Sequence, residues 1–433
     1  MSLDELYKLY LKHPSVQTDT RKLKKGDIYF ALKGPNFNGN SFAQQAIDDG
    51  AAYAIIDEDA FNVNEKTIVV ENVLNTLQDL ARHHRKQFNT LPAGRQVPFI
   101  AITGSNGKTT TKELIHAVLS TTYKTYTTEG NLNNHIGVPL TILKIKNDAE
   151  FAIIEMGANH LGEIASYCTI AMPTHGLITN LGKAHLEGFG SEEGIRKAKG
   201  ELFDYLKLNN GTAFIMPDYK YLVEMAEGIQ EIYTYGKKEA DVVGYILSAD
   251  PLLEVEFVKG LRKKIKTNLV GNYNLPNVLA AVAVGRYFNV NDDKIKTAIE
   301  NYFPSNSRSQ LMQKGSNKII LDAYNANPSS MKLAIENFAN AKENSKILVL
   351  GAMAELGKDS HEEHKQVIKE IARHQWEKVI LVGGDFLKID HPYLSKKNAD
   401  EAGQLLKEQK IKNAFLLIKG SRSTKMEKVL DYL

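Results

Sequence analysis

The chain has 433 residues, with 54 Lys and Arg against 51 Asp and Glu, a net charge of +3. That excess is too small to imply a nucleic-acid or membrane-surface partner, and 43% apolar with 24% charged residues argues against disordered, collagen-like and coiled-coil chains. At this length the prior is about three domains. The lone cysteine, Cys168, can form neither an internal disulfide nor a zinc site of several thiolates. The opening MSLDELYKLYLKHPS has no apolar stretch of signal-peptide length, and no run approaches a membrane span, so a cytoplasmic protein without membrane insertion is expected.

In chain order, short strand-like runs at residues 28–32, 52–56 and 67–70 alternate with helical stretches that end in LQDLARHHRKQF. NTLPAGRQVP, residues 89–98, carries two prolines and a glycine without periodicity and reads as a linker. Beyond it, short apolar runs at residues 99–103, 151–154 and 176–180 alternate with helices, the pattern of parallel strands buried on both faces. A second boundary is expected near YFPSNSRSQ. The α/β rhythm then restarts with strands IILD, KILVLG, KVILVGG and FLLIKG. Helices are expected at SSMKLAIENFANA, SHEEHKQVIKEIARH and STKMEKVLDYL. Ser329 or Ser330, and Ser360, stand where helix N-caps are expected. Gly351, Gly383 and Gly420 end three of the strands, and in open α/β sheets the ligand crevice lies at such carboxyl ends. The expected division is residues 1–88, a linker at 89–98, 99–304 and 305–433, all in the α/β class.

PFIAITGSNGKTTTKELIHAVL is the most informative stretch. A strand runs into GSNGKT and a helix follows, the context of a phosphate loop. Gly104, Ser105, Asn106 and Gly107 would turn backbone N–H groups toward phosphate oxygens. Lys108 would place a cation on the β- and γ-phosphates, and the Thr109 hydroxyl would ligate Mg²⁺, with Thr110 next in the helix. The spacing is not the common G-x-x-x-x-G-K-[ST], whose first glycine would fall at Ile102. No N-K-x-D base-reading motif is present, which weakens a GTPase reading.

Glu155 ends the apolar run FAIIE, at a strand tip suited to holding Mg²⁺; the alternative is a solvated strand-end glutamate. His185, in LGKAHLEGFG, follows another strand and should reach the same sheet edge, or is a surface loop histidine. Lys199, in EEGIRKAKGELF, reads by periodicity alone as a solvated helix lysine. His361 and His364 in HEEH lack the H-E-x-x-H spacing and an obvious third ligand, which argues against zinc there.

TGSNGKTT, NLNNHIGVPLTIL, EMGANHLGEI, HLEGFG, KAKGELF, GNYNLPNVLAA, DAYNANPSSM, AELG and KGSRSTKME together resemble the Mur ligases. Their order and spacing are similar to the member that adds D-alanyl-D-alanine, and DTRKLKKGDIYFALKG looks like that enzyme's UDP-binding segment. The resemblance implies a small N-terminal α/β UDP-sugar domain, a central phosphate-loop ATPase domain with a mostly parallel sheet, and a C-terminal Rossmann-like domain. It implies that ATP phosphorylates the terminal carboxylate of UDP-MurNAc-tripeptide and that the D-Ala-D-Ala amine attacks the acyl phosphate, with no nucleic acid involved and a monomer as the default.

The resemblance also implies roles. Lys108 and Thr109 would hold phosphates and one of two Mg²⁺ ions. Glu155 and His185 would ligate the second, and Lys199 would be carried as a carbamate near metal. Asn274 and Asn277 would lie near the adenine, and Asp322 would bind the ribose. Tyr324, Asn325 and Asn327 would line the dipeptide or nucleotide side, and Asn133 and Asn134 the tripeptide end. Thr20, Arg21 and Lys33 would serve the UDP. The sequence departs from the family in two places. A P-x-G-R-like segment reads NSRSQ, where Arg308 is the candidate phosphate-contacting arginine, and His135 stands where an acidic residue is expected. Because ATP-side and ribose-side residues fall in different domains, closure on ligand binding is expected. A ligase adding a single amino acid and a nucleotide-dependent switch without ligation are the competing readings.

Overall fold

The computed structural model describes residues 1–89, 96–183, 186–305 and 307–433. Residues 90–95 of the expected linker, together with His185, therefore lie outside the described residues.

The N-terminal part forms a four-stranded parallel sheet in the order Val16–Gln17, Ile28–Phe30, Tyr53–Ile56, Thr67–Val69. The helix Val73–Lys86 ties it to the rest of the chain. Asn72 caps this helix by accepting from Asn75 N, and its apolar stripe buries Val73, Leu77 and Leu80. At its far end Arg85 is buried. Its Nε donates to Ala171 O and an Nη to Met172 O, both at 2.7 Å, and its guanidinium lies 3.7 Å from the centre of the Phe99 ring. A buried guanidinium is tolerated because these carbonyls satisfy its donors.

The central sheet has nine strands. Their order is Lys264–Val270, Leu252–Lys259, Val242–Ala249, Glu231–Gly236, Thr212–Ile215, His175–Ile178, Phe99–Thr103, Phe151–Glu155, Thr125–Thr127. All pairings are parallel except the two within the Val242–Val270 ribbon. Phe99–Thr103 and Phe151–Glu155 are buried at every position, which explains why both read as unbroken apolar runs. The third sheet has six strands, in the order Gln310–Lys314, Asn317–Asp322, Phe415–Lys419, Lys346–Gly351, Lys378–Val382, Leu394–Lys396. Only its first pairing is antiparallel. Among the described residues no helix is long and apolar enough to cross a membrane.

Two local expectations change. The helix Pro328–Ala339 is capped by Asn327, with Ser330 completing the reciprocal pair, and Ser360 is the first helical residue of Ser360–Ile371 rather than its cap. The segment STKMEKVLDYL is not one α-helix. Lys425 adopts φ +48° and divides the 3₁₀ turns Arg422–Thr424 and Met426–Tyr432.

His175, half-buried on its strand, sits among the rings of Phe214, Tyr287 and Phe288, whose centroids lie 6.2, 5.6 and 5.0 Å away. Loss of hydration there pushes its pKa down to about 4, against a weaker opposing pull from Glu231. Between pH 6.5 and 4 the unfolded chain then binds more protons at this site than the folded one, so stability falls as pH falls through that window. A His175→Phe variant is expected to lose less stability between pH 7 and 4.5 than the parent. Urea midpoints at the two pH values check this, and identical losses would refute it.

Candidate active site

The phosphate loop starts where Phe99–Thr103 ends. Gly104 has φ +138°, and a Cβ there would lie 2.1 Å from Thr179 Oγ1. Gly107, at φ +80°, opens the helix Lys108–Leu119, and a Cβ there would lie 2.6 Å from Asn277 Oδ1. The neighbouring strand's loop pins the turn: Ser105 N donates to Asn180 O at 2.9 Å and Asn106 N to Asn180 Oδ1 at 3.1 Å. Lys108 Nζ folds back over the loop, donating to Gly104 O at 2.7 Å and Ser105 O at 3.3 Å. Burial lowers its pKa; the charge of Glu155 opposes this and that of Arg308 adds to it.

Glu155 is buried at the tip of Phe151–Glu155 and paired in register with Ile102. Its Oε2 accepts from Thr109 Oγ1 at 2.9 Å and its Oε1 from Asn133 Nδ2 at 2.8 Å. Its backbone N donates to Thr128 Oγ1 at 3.0 Å, and Thr128 O accepts from the buried ammonium of Lys112 at 2.6 Å. A hydroxyl and a carboxylate side by side at the phosphate loop suit Mg²⁺, which prefers hard oxygen donors. Among the described residues no three His, Cys, Asp or Glu side chains converge on a metal position. Phosphate oxygens and water commonly complete the coordination of this ion, and the expected ligand His185 lies outside the described residues.

Lys199 overturns its periodicity-based reading as a solvated residue. It is buried on the helix Glu192–Leu208, with Nζ donating to Ala158 O at 3.2 Å and lying 5.0 Å from the centre of the Phe189 ring. Burial, helped by the positive charge of Lys108, brings its pKa down to about 7, while Glu163 and Glu201 oppose the shift. An amine so placed is partly neutral near pH 7, the form able to capture carbon dioxide as a carbamate.

A cavity of about 1100 Å³ joins the central and C-terminal parts. On one side it is lined by Ser105, Asn106, Gly107, Lys108, Thr109 and Thr110, with Asn133, Asn134 and Glu155 adjoining. Asn274 and Asn277 form another wall. Asn277 Nδ2 donates to Asn274 Oδ1 at 2.8 Å, and Asn277 Oδ1 accepts from Thr111 Oγ1 at 3.0 Å, bracing the phosphate-loop helix. Opposite stand Arg308, Asp322, Tyr324, Asn325 and Asn327. Arg308 lies 3.6 Å over the Tyr324 ring centre. Asp322 accepts from Lys419 Nζ at 2.5 Å and from Ser309 N at 3.2 Å. Asn327 Nδ2 donates to Asn106 Oδ1 at 2.8 Å, and Ser329 Oγ accepts from Lys183 N at 3.1 Å, so the C-terminal part touches the phosphate loop directly.

Other expected residues are placed elsewhere. Asn134 also accepts from Gly137 N at 2.9 Å, just before the helix Gly137–Leu143. Arg21 is exposed and paired with Asp19 at 2.8 Å, Lys33 pairs with Asp57 at 2.9 Å and Glu58 at 2.8 Å, and Thr20 begins a short 3₁₀ turn. None of these three lines the cavity. His364 of HEEH is buried, its Nε2 accepting from Met353 N at 3.0 Å and its Nδ1 facing Ser360 O at 2.6 Å, which leaves neither nitrogen for a metal. The cavity wall also includes Lys419, Ser421 and Arg422, residues of the KGSRSTKME motif to which sequence reasoning gave no individual role.

The Mur ligase middle domain matches residues 102–285, the Mur ligase glutamate ligase domain residues 307–425, and the Mur ligase family catalytic domain residues 14–85. The chain is 34% identical to the UDP-N-acetylmuramoyl-tripeptide–D-alanyl-D-alanine ligase of Bacillus subtilis, an alignment covering 96% of this chain and 92% of that one. A crystal structure of MurF from Acinetobacter baumannii superposes with TM-score 0.85 at 29% identity, covering 96% of this chain and 93% of the other. MurF ligase from Thermotoga maritima in complex with ADP gives TM-score 0.85 at 27% identity, covering 98% and 97%.

Replacing Lys108 by Ala removes the cation at the loop while leaving the sheet and helix in place. Turnover is expected to fall by roughly 10²–10³-fold, the cost of losing one group aimed at developing charge. A phosphate-release assay alongside circular dichroism checks this; a folded variant with parental turnover would refute the assignment of the loop.

Proposed function

The chain belongs to the Mur ligase family, and we propose that it is the ATP-dependent ligase that joins D-alanyl-D-alanine to UDP-MurNAc-tripeptide, giving the pentapeptide precursor of peptidoglycan. One observation carries the reading. A single cavity joins the phosphate loop, the buried Glu155–Thr109 pair and, from the C-terminal part, Arg308, Asp322 and Tyr324.

A carboxylate is a poor electrophile toward an amine, and transfer of the ATP γ-phosphoryl group to it supplies a leaving group. The amine of the dipeptide then adds to the acyl phosphate carbon. The tetrahedral intermediate collapses with loss of phosphate and a proton. Bringing an anionic carboxylate to an anionic phosphate is the electrostatic obstacle, and the chain meets it with Lys108 from one wall and Arg308 from the other. The loop from Gly104 to Thr110 cradles the phosphates with backbone N–H groups and the start of the helix. Asn274 and Asn277 lie on the adenine side, Asp322 takes the ribose, and Asn133 and Asn134 border the tripeptide end. Tyr324, Asn325 and Asn327 lie toward the dipeptide. Thr20, Arg21 and Lys33 serve the UDP in the N-terminal part.

The donors Thr109 and Glu155, joined by His185 and a carbamylated Lys199, would hold Mg²⁺, two ions in all. When bound, the metal supplies charge neutralisation for the transferring phosphoryl group. The protein works as a cytoplasmic monomer and needs no nucleic acid.

Phosphate release is expected only when ATP, UDP-MurNAc-tripeptide and D-Ala-D-Ala are all present, with mass spectrometry showing the pentapeptide product. Phosphate release that ignores the dipeptide would contradict the reading. For the carbamate, short carboxylic acids are expected to restore part of the activity lost in Lys199→Ala. No rescue at any concentration would remove the carbamate from the account.

A further inference from the structure

We propose that Arg422 anchors the carboxylate of the incoming dipeptide in a pouch beside the phosphate loop; this rests on the ligase reading above and names the residue that would select the acyl acceptor. Two guanidiniums share one aromatic ring. The Cζ of Arg308 lies 3.6 Å from the Tyr324 ring centre and that of Arg422 lies 5.4 Å from it. Neither side chain makes a hydrogen bond or ion pair with a described residue. The nearby cations are committed, Lys108 to loop carbonyls and Lys419 to Asp322. Two positive charges near one ring repel, and the pouch wall sets one carboxylate, Glu427, against them, so the arrangement favours a further anion between or beside them.

The space there suits a small ligand. A pouch of about 290 Å³ opens between Thr109 and Asn131 of the central part and Arg308, Tyr324, Arg422 and Glu427 of the C-terminal part. That is at the lower edge of the roughly 300–1,000 Å³ of sites for drug-sized molecules, a scale on which a dipeptide fits and a nucleotide sugar does not. Arg308, half-buried where Arg422 is exposed, lines the large cavity with Lys108 and is the arginine given to the phosphoryl group in the reading above. Arg422 is then left for the second anion of the reaction, the dipeptide carboxylate, which its planar fork can bind through two parallel hydrogen bonds. Glu427 supports the same choice. A carboxylate in the wall disfavours a phosphate but is tolerated by a zwitterion that brings its own positive charge. The Tyr324 ring, 5.4 Å from the exposed Arg422 guanidinium, adds a weak cation–π attraction that favours this placement.

The test compares D-Ala-D-Ala with its C-terminal amide, which lacks the negative charge, in the parent and in Arg422→Met and Arg422→Lys. In the parent the acid is expected to be the far better acceptor. Arg422→Met is expected to raise the KM for the acid roughly tenfold to a hundredfold, the loss typical of a hydrogen bond to a charged group. It should erase the preference for acid over amide and leave the KM for ATP unchanged; Arg422→Lys should fall between. An unchanged KM for ATP also shows that the variant is folded. A rise in the KM for ATP with the acid preference intact would overturn the proposal in favour of a phosphate contact, as would full discrimination in Arg422→Met. A parent enzyme that joins neither acceptor would overturn the ligase reading, and this inference with it.

Discussion

A carboxylate buried at the carboxyl edge of a parallel sheet must be given hydrogen bonds or a cation, and the site is arranged around how Glu155 receives them. Thr109 and Asn133 each donate to one of its oxygens, and the backbone behind it is fixed through Thr128. The register that pairs Glu155 with Ile102 places it level with the start of the phosphate loop. Thr103 Oγ1 donates to Met156 O at 2.8 Å and locks the same register one step further on. Slipping either strand by one residue would turn Glu155 to the opposite face and separate it from Thr109. The metal donors, the helix start and the loop conformation therefore depend on one strand pairing.

The second constraint is electrostatic. Lys108, Arg308 and Arg422 face the cavity, although the chain as a whole carries a net charge of only +3. Lys199 is partly discharged by burial, with the positive charge of Lys108 adding to the effect. Cations so placed suit an anionic UDP-tripeptide, a nucleotide triphosphate and the carboxylate of a zwitterionic dipeptide, and they belong to different parts of the chain. Bonds such as Asn327 to Asn106 and Lys183 to Ser329 and Glu363 hold those parts in the arrangement that gathers the charges. Ligand-driven closure, expected from the split between ATP-side and ribose-side residues, would thus act on parts that already touch at the loop.

Much of the fold was legible because buried parallel strands read as short, nearly continuous apolar runs, as in Phe99–Thr103 and in Lys346–Gly351 after its half-buried lysine. The ribbon Val242–Val270 escaped notice because its first strand is exposed over much of its length and the next two intersperse Lys and Glu with apolar residues. The phosphate loop and Glu155 could be read from their positions at strand ends. Lys199 could not be read from periodicity, since the side chain meets Ala158 from a distant loop and Phe189 from the preceding helical turn rather than residues of its own helix. Arg422 was invisible for a similar reason. Its meaning comes from sharing Tyr324 with Arg308, residues far apart in the chain. Asn327 lay in a motif read for ligand binding, while its work as a helix cap and as the contact to Asn106 appears only in three dimensions.

The central claim is that this cavity activates a carboxylate by phosphorylating it. Supplying UDP-MurNAc-tripeptide with isotopically labelled oxygen in its terminal carboxylate tests that claim most directly. The account predicts that one labelled oxygen leaves with the inorganic phosphate, because the phosphoryl group departs on the oxygen it was attached to. Unlabelled phosphate formed alongside the new amide would contradict it.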